Sequence, residues 1–250
     1  MACGAFVSSA LTTRAVQLPG EALEAPGSPL DLYLASSPAE VDQARPFMTG
    51  DVFREVTIPG VTPDTAPDNA RLGIVLTHPC SMRVDGVRLA PRLHMARVVT
   101  SQEIPLRKWR DGHFKAMPLP ELAGEHRTAR FEDMGLVESA SLLPERRIAC
   151  LSPYGIHLLQ QRFIWYLTRF LVPTHRLAEA TAAVFEEAEL EEEWVSRAAE
   201  RGAARHTSVE AFHQWVRSSD QSGSTRQEQL ADPQRRAGVR RAMRLHLAHG

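Results

Sequence analysis

The stretch Arg71–Val99, RLGIVLTHPCSMRVDGVRLAPRLHMARVV, constrains the fold of this chain more than any other. Arg71–Thr77 is a continuous apolar run, β-branched in its middle, the pattern of a strand covered on both faces. Asp85-Gly86 is a turn signal between apolar segments, and Leu93–Thr100 supplies a further strand. Upstream, Asp51–Ile58 alternates with a period of two until Pro59-Gly60 ends it. Short strands this close together, with no amphipathic helix between them, predict an antiparallel barrel or meander rather than βαβ units.

The rest of the chain divides around that segment. Residues 1–45 are rich in Ala, Ser, Pro and Leu without clear periodicity, which predicts a poorly ordered arm with one short strand at Leu30–Leu34. Phe114–Leu122 reads as extended, Ala129–Val137 as another strand, and Leu143–Leu151 as a lead into helix. Ser152 and Pro153 have the form of an N-cap followed by proline at the first helical position. Helical spacing of Ile156, Leu159, Phe163, Tyr166, Leu167 and Phe170 predicts a buried helix, stopped by Pro173. A second helix is expected over His175–Arg201, a third after a capping box at Thr207–Glu210, and a last one from Asp232-Pro233 to about residue 248. The expected fold is α+β: an SH3-like antiparallel barrel over 46–150, then a helical region over 151–250.

Net charge is −1, from 29 basic and 30 acidic residues, so a nucleic-acid surface would have to be a local patch. Three cysteines are too few for a disulfide framework and too widely spaced for a four-cysteine zinc site. Together with the absence of a signal-peptide pattern, this places the expected compartment in the cytoplasm. The apolar segment Ile156–Val172 is interrupted by His157, Gln160, Gln161, Arg162, Thr168 and Arg169, so no membrane association is expected. There is no phosphate-binding glycine loop, nucleophile elbow or HExxH, and neither a cofactor nor a metal is expected.

Candidate chemistry falls in three places. Thr77-His78-Pro79-Cys80 could bring His78 and Cys80 together, with Arg83 and His94 as groups that would favour a thiolate; a buried structural cysteine is the alternative. His78, Cys80, Asp85 and His94 match no closed zinc motif. Glu186–Glu193 holds six glutamates in eight residues, while the last helix carries Arg235, Arg236, Arg240, Arg241 and Arg244. Arg236, Arg240 and Arg244 are four apart and line up. That stripe suits phosphate backbones or an acidic protein partner, or else the chain's own acidic helix. Trp109 between Lys108 and Arg110 has the basic–aromatic interleaving that stacks bases, and Arg146, Arg147, Arg162 and Arg169 could add a basic face.

Three strand segments, Gly50–Phe53, Arg71–Thr77 and Val98–Ser101, resemble the strand signatures of the PemK/MazF toxins, a family of small SH3-like barrels that are mostly endoribonucleases neutralised by an antitoxin. The resemblance implies Arg71 and Thr100 as cleavage residues. The family's Gly-x-Glu-Gln segment and its preceding arginine are absent from Val61–Asn69. Cys80-Ser81 and Leu151-Ser152-Pro153 also resemble uncharacterised bacterial barrel proteins with a helical tail, which implies an accessory protein linked to mobile-element or defence systems. The reading taken forward is a non-catalytic cytosolic protein that binds nucleic acid or a protein partner and that could oligomerise through its C-terminal helices. A PemK/MazF-like ribonuclease and a Cys80-dependent hydrolase or thiol sensor are the alternatives.

Overall fold

The computed structural model describes residues 22–61, 71–84, 88–110, 114–220 and 223–249. Seven strands form one antiparallel sheet: β1 (Tyr33–Ala35), β2 (Asp51–Arg54), β3 (Leu72–Val75), β4 (Arg92–Thr100), β5 (Ala116–Leu122), β6 (Glu125–Glu138) and β7 (Arg147–Leu151). Their spatial order is β1-β7-β2-β3-β4-β6-β5. The sheet curls until its edges meet at one end. There the Tyr33 hydroxyl donates to the Pro120 carbonyl at 2.9 Å, and the Ala123 N–H donates to the Ser36 carbonyl at 2.8 Å. A bulge helps the curl: Ala96 faces Met134 but Arg97 faces Arg130, so Phe131, Glu132 and Asp133 have no backbone pairing partner on β4, although the Arg97 guanidinium reaches the Asp133 carboxylate at 2.6 Å. The fold is therefore α+β as expected, a half-barrel followed by helices.

Alternation along the strands sends side chains to two cores. Val52, Ile74, Ala96 and Val98 join Phe131 on one face, and Phe53, Val75, Leu93 and Met95 join Met82 on the other. All four residues of β3 are buried, which is why its run has no polar phase. β2 is shorter than expected because Glu55, at φ 60°, turns out of the extended region. The expected turn at Asp85-Gly86 lies outside the described residues, although Arg83 and Leu89 form a bridge on either side of it.

Residues 22–45 differ from the expected disordered arm. Leu23 and Leu32 are buried, and Tyr33 pairs with Leu151, so β1 forms an edge of the sheet. The segment is locked by Glu24, whose carboxylate accepts from the Thr174 N–H at 2.8 Å, the Thr174 hydroxyl at 2.6 Å and the Gln161 amide at 3.0 Å. Residues 1–21 of the expected arm are outside the described residues.

The helices are α1 (Pro153–Thr168), α2 (Thr174–Glu200), α3 (Arg205–Arg217), α4 (Arg226–Leu230) and α5 (Pro233–His249). Ser152 caps α1 as expected: its hydroxyl accepts from the Gly155 N–H at 3.0 Å and donates to the Asp31 carbonyl at 2.6 Å. α1 ends before Pro173, because Arg169 adopts the left-handed conformation and closes the helix onto the Trp165 carbonyl. The expected capping box at Thr207–Glu210 is not a cap, since α3 already starts at Arg205; among the α-helices a box forms instead at Thr225–Glu228, opening α4. α1 and the first half of α2 cover the barrel through Ile156, Leu159, Phe185 and Ala188. The second half of α2 builds a separate helical core, in which Leu190 and Trp194 meet Phe212, Trp215, Leu230, Val239 and Met243. Among the described residues no helix is long and apolar enough to cross a membrane.

Candidate functional site at the barrel–helix junction

The start of β2 and the end of β3 meet under α2. Thr49 donates its hydroxyl to the Thr77 carbonyl, and Gly50 donates its N–H to the Val75 carbonyl at 2.9 Å. Gly50 has φ 84°, and a Cβ there would lie 2.9 Å from the Leu151 side chain, so both the turn and the contact require glycine. Beside it lies the buried ion pair of Asp51 with Arg147, at 3.0 Å. The same guanidinium donates to the carbonyls of Asp42, Arg45 and Pro46. This one side chain therefore fixes the Asp42–Pro46 segment to the barrel.

Of the clefts that border that segment, two hold the candidate residues. The smaller, about 140 Å³, is lined by Cys80, Arg83, Glu187, Glu191 and Gln227. Cys80 is exposed. Its backbone N–H donates to His78 Nδ1 at 3.2 Å, so the imidazole caps the short turn Pro79–Ser81 with the nitrogen that could have served as a base. Partial desolvation holds His78 below the usual histidine range, which favours its neutral form. His94 lines a different cleft, with Arg92 and Thr57, and does not reach the cysteine's cleft. The thiolate reading therefore keeps Cys80 without an arranged general base. Among the described residues no group of three or more metal-binding side chains comes together.

The larger cleft, about 490 Å³, lies between the Leu34–Arg45 segment, β7 and α2. Its volume is in the range of small-ligand and side-chain sites. Leu34, Ala35 and Phe185 supply apolar wall, and Cys150 lies beneath. Burial pushes the Cys150 thiol up, so it is a neutral wall group and not a nucleophile. Five carboxylates line the cleft, Glu40, Asp42, Glu189, Glu192 and Glu193, against two guanidinium groups, Arg45 and Arg240. Arg45 is 6% exposed and bridges to Glu192 at 3.2 Å. Burial raises the Glu192 carboxyl above the usual carboxylate range, with Asp42 adding to the rise and Arg45 opposing it. Composition gave no sign of this cleft, since its walls come from segments more than a hundred residues apart.

The expected binding arginines fare differently. Arg240 reaches Glu186 at 3.2 Å, Glu189 at 2.9 Å and Glu193 at 3.6 Å, and Arg244 reaches Glu193 at 2.8 Å. Arg236 donates to the Leu230 carbonyl, and Arg235 pairs with Asp232 at 3.5 Å. Of the five, Arg241 alone is exposed with no ion pair among the described residues. The remaining glutamates of the acidic run are also engaged: Glu187 by Gln227, Glu191 by the buried His213, and Glu192 by Arg45. Within the stripe, Arg240 and Arg244 are thus met by the chain's own acidic helix.

Trp109 is likewise corrected: it is fully buried, with the Arg162 guanidinium 4.9 Å above its ring and its indole N–H on the Ile104 carbonyl. It cannot stack a base. Arg147 and Arg162 are interior, not parts of a basic face. Arg71 and Thr100 sit at the same end of the β3–β4 pair, where Leu72 faces Val98. Alternation puts Thr100 on the Val98 side and directs Arg71, one residue before Leu72, to the opposite side, so the two do not converge. The exposed Thr100 hydroxyl is 3.4 Å from Glu125. Compared with known protein families, curated proteins and solved structures, the chain matches none significantly.

Proposed function

We propose that this is a non-catalytic, cytosolic binding protein that docks a protein partner in the cleft between its barrel and α2. The observation that carries this reading is the cleft itself: about 490 Å³, walled by four separate chain segments, one of which Arg147 ties to the barrel through the Asp42 and Arg45 carbonyls. The pairing of Arg240 and Arg244 with the acidic helix and the burial of Trp109 leave nucleic acid as the weaker partner class. Catalysis has no support from Cys80, which lacks an arranged base, or from Arg71 and Thr100, which point apart.

The test blocks the cleft. Ser196 lines it from α2, and Ser196→Trp would fill it without touching the core. A partner captured from the native host by the wild type and lost on Ser196→Trp supports the reading; a partner retained by the variant sinks it. The same protein is incubated with labelled RNA and DNA at low and moderate salt. A salt-sensitive shift would move the assignment to nucleic acid, and cleavage abolished by Thr100→Ala would move it to a ribonuclease.

A further inference from the structure

We infer that residues 15–21 of this chain lie along α1 and cover the aromatic face made by Phe114 and Trp165. The inference is independent of the junction cleft and starts from the course of the first described residues. Ala25 accepts from the Tyr154 hydroxyl at 3.2 Å. Glu24 meets later turns of the same helix: its N–H donates to Gln161 Oε1 at 2.8 Å, and its carbonyl accepts from Arg162 Nη2 at 3.2 Å. Tyr154, Leu158, the pair Gln161 and Arg162, and Trp165 succeed one another at the spacing that puts side chains on one side of a helix. As its numbering falls, the chain therefore follows this stripe toward Trp165, and Ala22 is the first described residue.

The next position on the stripe is open. Trp165 is only partly buried, and Phe114, 38% exposed, leans on it with ring centroids 6.1 Å apart. Phe170, at the same end of α1, is 75% exposed. Among the described residues these are the two exposed phenylalanines. Clustered aromatic surface of this kind marks an interaction site. One helical turn, about 5.4 Å, separates Trp165 from Gln161, and an extended chain advances about 3.3 Å per residue. Residues 15–21 span that distance several times over. They also bring Val16 and Leu18, the first large apolar side chains upstream of Leu23. A second copy would have to fit beside a chain already emerging at this face, whereas the segment is tethered there by Glu24 and needs no association.

The experiment is limited trypsin digestion of the full chain, with the cut after Arg14 followed by mass spectrometry. Arg14 adjoins the segment and is the one Lys or Arg before Arg45. The wild type should be cut about tenfold more slowly than a synthetic peptide of residues 8–24, because cleavage must wait for the segment to open. Leu18→Asp and Phe114→Asp should each raise the rate to that of the matching peptide. The double variant should be no faster than either, since both break the same contact. Leu167→Asp should leave the rate unchanged: Leu167 is 56% exposed but lies about 200° round the helix from Trp165. Leu18→Asp alters no described residue, so it decides the matter even if Phe114→Asp fails to fold. Equal rates for wild-type protein and peptide, protection that survives Leu18→Asp, or an equal effect of Leu167→Asp would overturn the inference. Protection that grows with protein concentration would assign the face to a second copy and overturn it as well.

Discussion

Arg147 and Asp51 are each about 1% exposed, and charges buried to that degree persist only when they are paired and hydrogen-bonded, as both terminal nitrogens of Arg147 are, although its Nε–H meets no acceptor among the described residues. Breaking such a pair leaves a carboxylate in the interior. Arg147→Met should therefore cost about 3–5 kcal/mol in urea denaturation, and adding Asp51→Asn should recover part of that loss. Recovery to zero would mean that the three carbonyls held by Arg147 contribute nothing. Glu24 gives a pH-dependent counterpart. Burial pushes its carboxyl up, but the bonds from Thr174 and Gln161 and the nearby His175 outweigh this, so its folded value lies below the usual 4.5. A depressed folded value means that the unfolded chain binds the proton more readily. The stabilisation is present above the unfolded value and is lost as pH falls through the folded one. Relative to Glu24→Gln, the wild type should thus lose its stability advantage on acidification below about pH 4.5, as thermal melts across that range would show; an advantage constant with pH would contradict the assignment. None of this was legible in the sequence. An arginine is written the same way whether it lies on a surface or inside, and Arg147 and Arg162 were read as surface charge for that reason.

At the level of elements the sequence was more readable where a period or a cap was strong. β3, β4 and the Ser152-Pro153 start of α1 are nearly where pattern placed them. The short strand expected at Leu30–Leu34 lies about three residues early, because Pro29–Leu32 is a 3-10 turn and the strand character of β1 comes from pairing with β7 rather than from a period. Gly155 shows how the same region is fixed. A Cβ there would lie 2.2 Å from the Leu32 carbonyl oxygen, so α1 reaches the β1 segment only through glycine. Gly155→Ala should destabilise by more than the ~1 kcal/mol that the same exchange gains in an open helix, and β1 amides should lose hydrogen-exchange protection first. Uniform loss across the barrel would place the strain elsewhere. The α2–α5 contact is electrostatic at its rim and apolar beneath. Arg240→Glu with Arg244→Glu would set two carboxylates against Glu186, Glu189 and Glu193. The expected loss is about 1–2 kcal/mol, small because these pairs are partly solvated, and it should shrink as salt screens the repulsion. A loss unaffected by salt would mean that the arginine stems, not their charges, hold the helices together.

Across the whole molecule, the two halves that sequence separates at residue 150 share one helix. Phe185 and Ala188 of α2 belong to the barrel core, while Leu190 and Trp194, within the next two turns, belong to the helical core. A helix held at both faces cannot be released from one core without weakening the other, because its backbone hydrogen bonds run through both. The larger cleft depends on this sharing, since Phe185, Glu189, Glu192 and Ser196 line it from the same helix. Truncating a buried phenylalanine costs about 3–5 kcal/mol. If α2 couples the cores, Phe185→Ala should lower the protection of the Phe212 amide in α3 nearly as much as that of Ile74 in β3, measured by native-state hydrogen exchange in mild denaturant. Trp194→Ala should do the same in reverse. Protection lost in one half alone would make the barrel and the helices independent folding units, and the cleft between them would then open and close with their relative motion instead of standing as a preformed site.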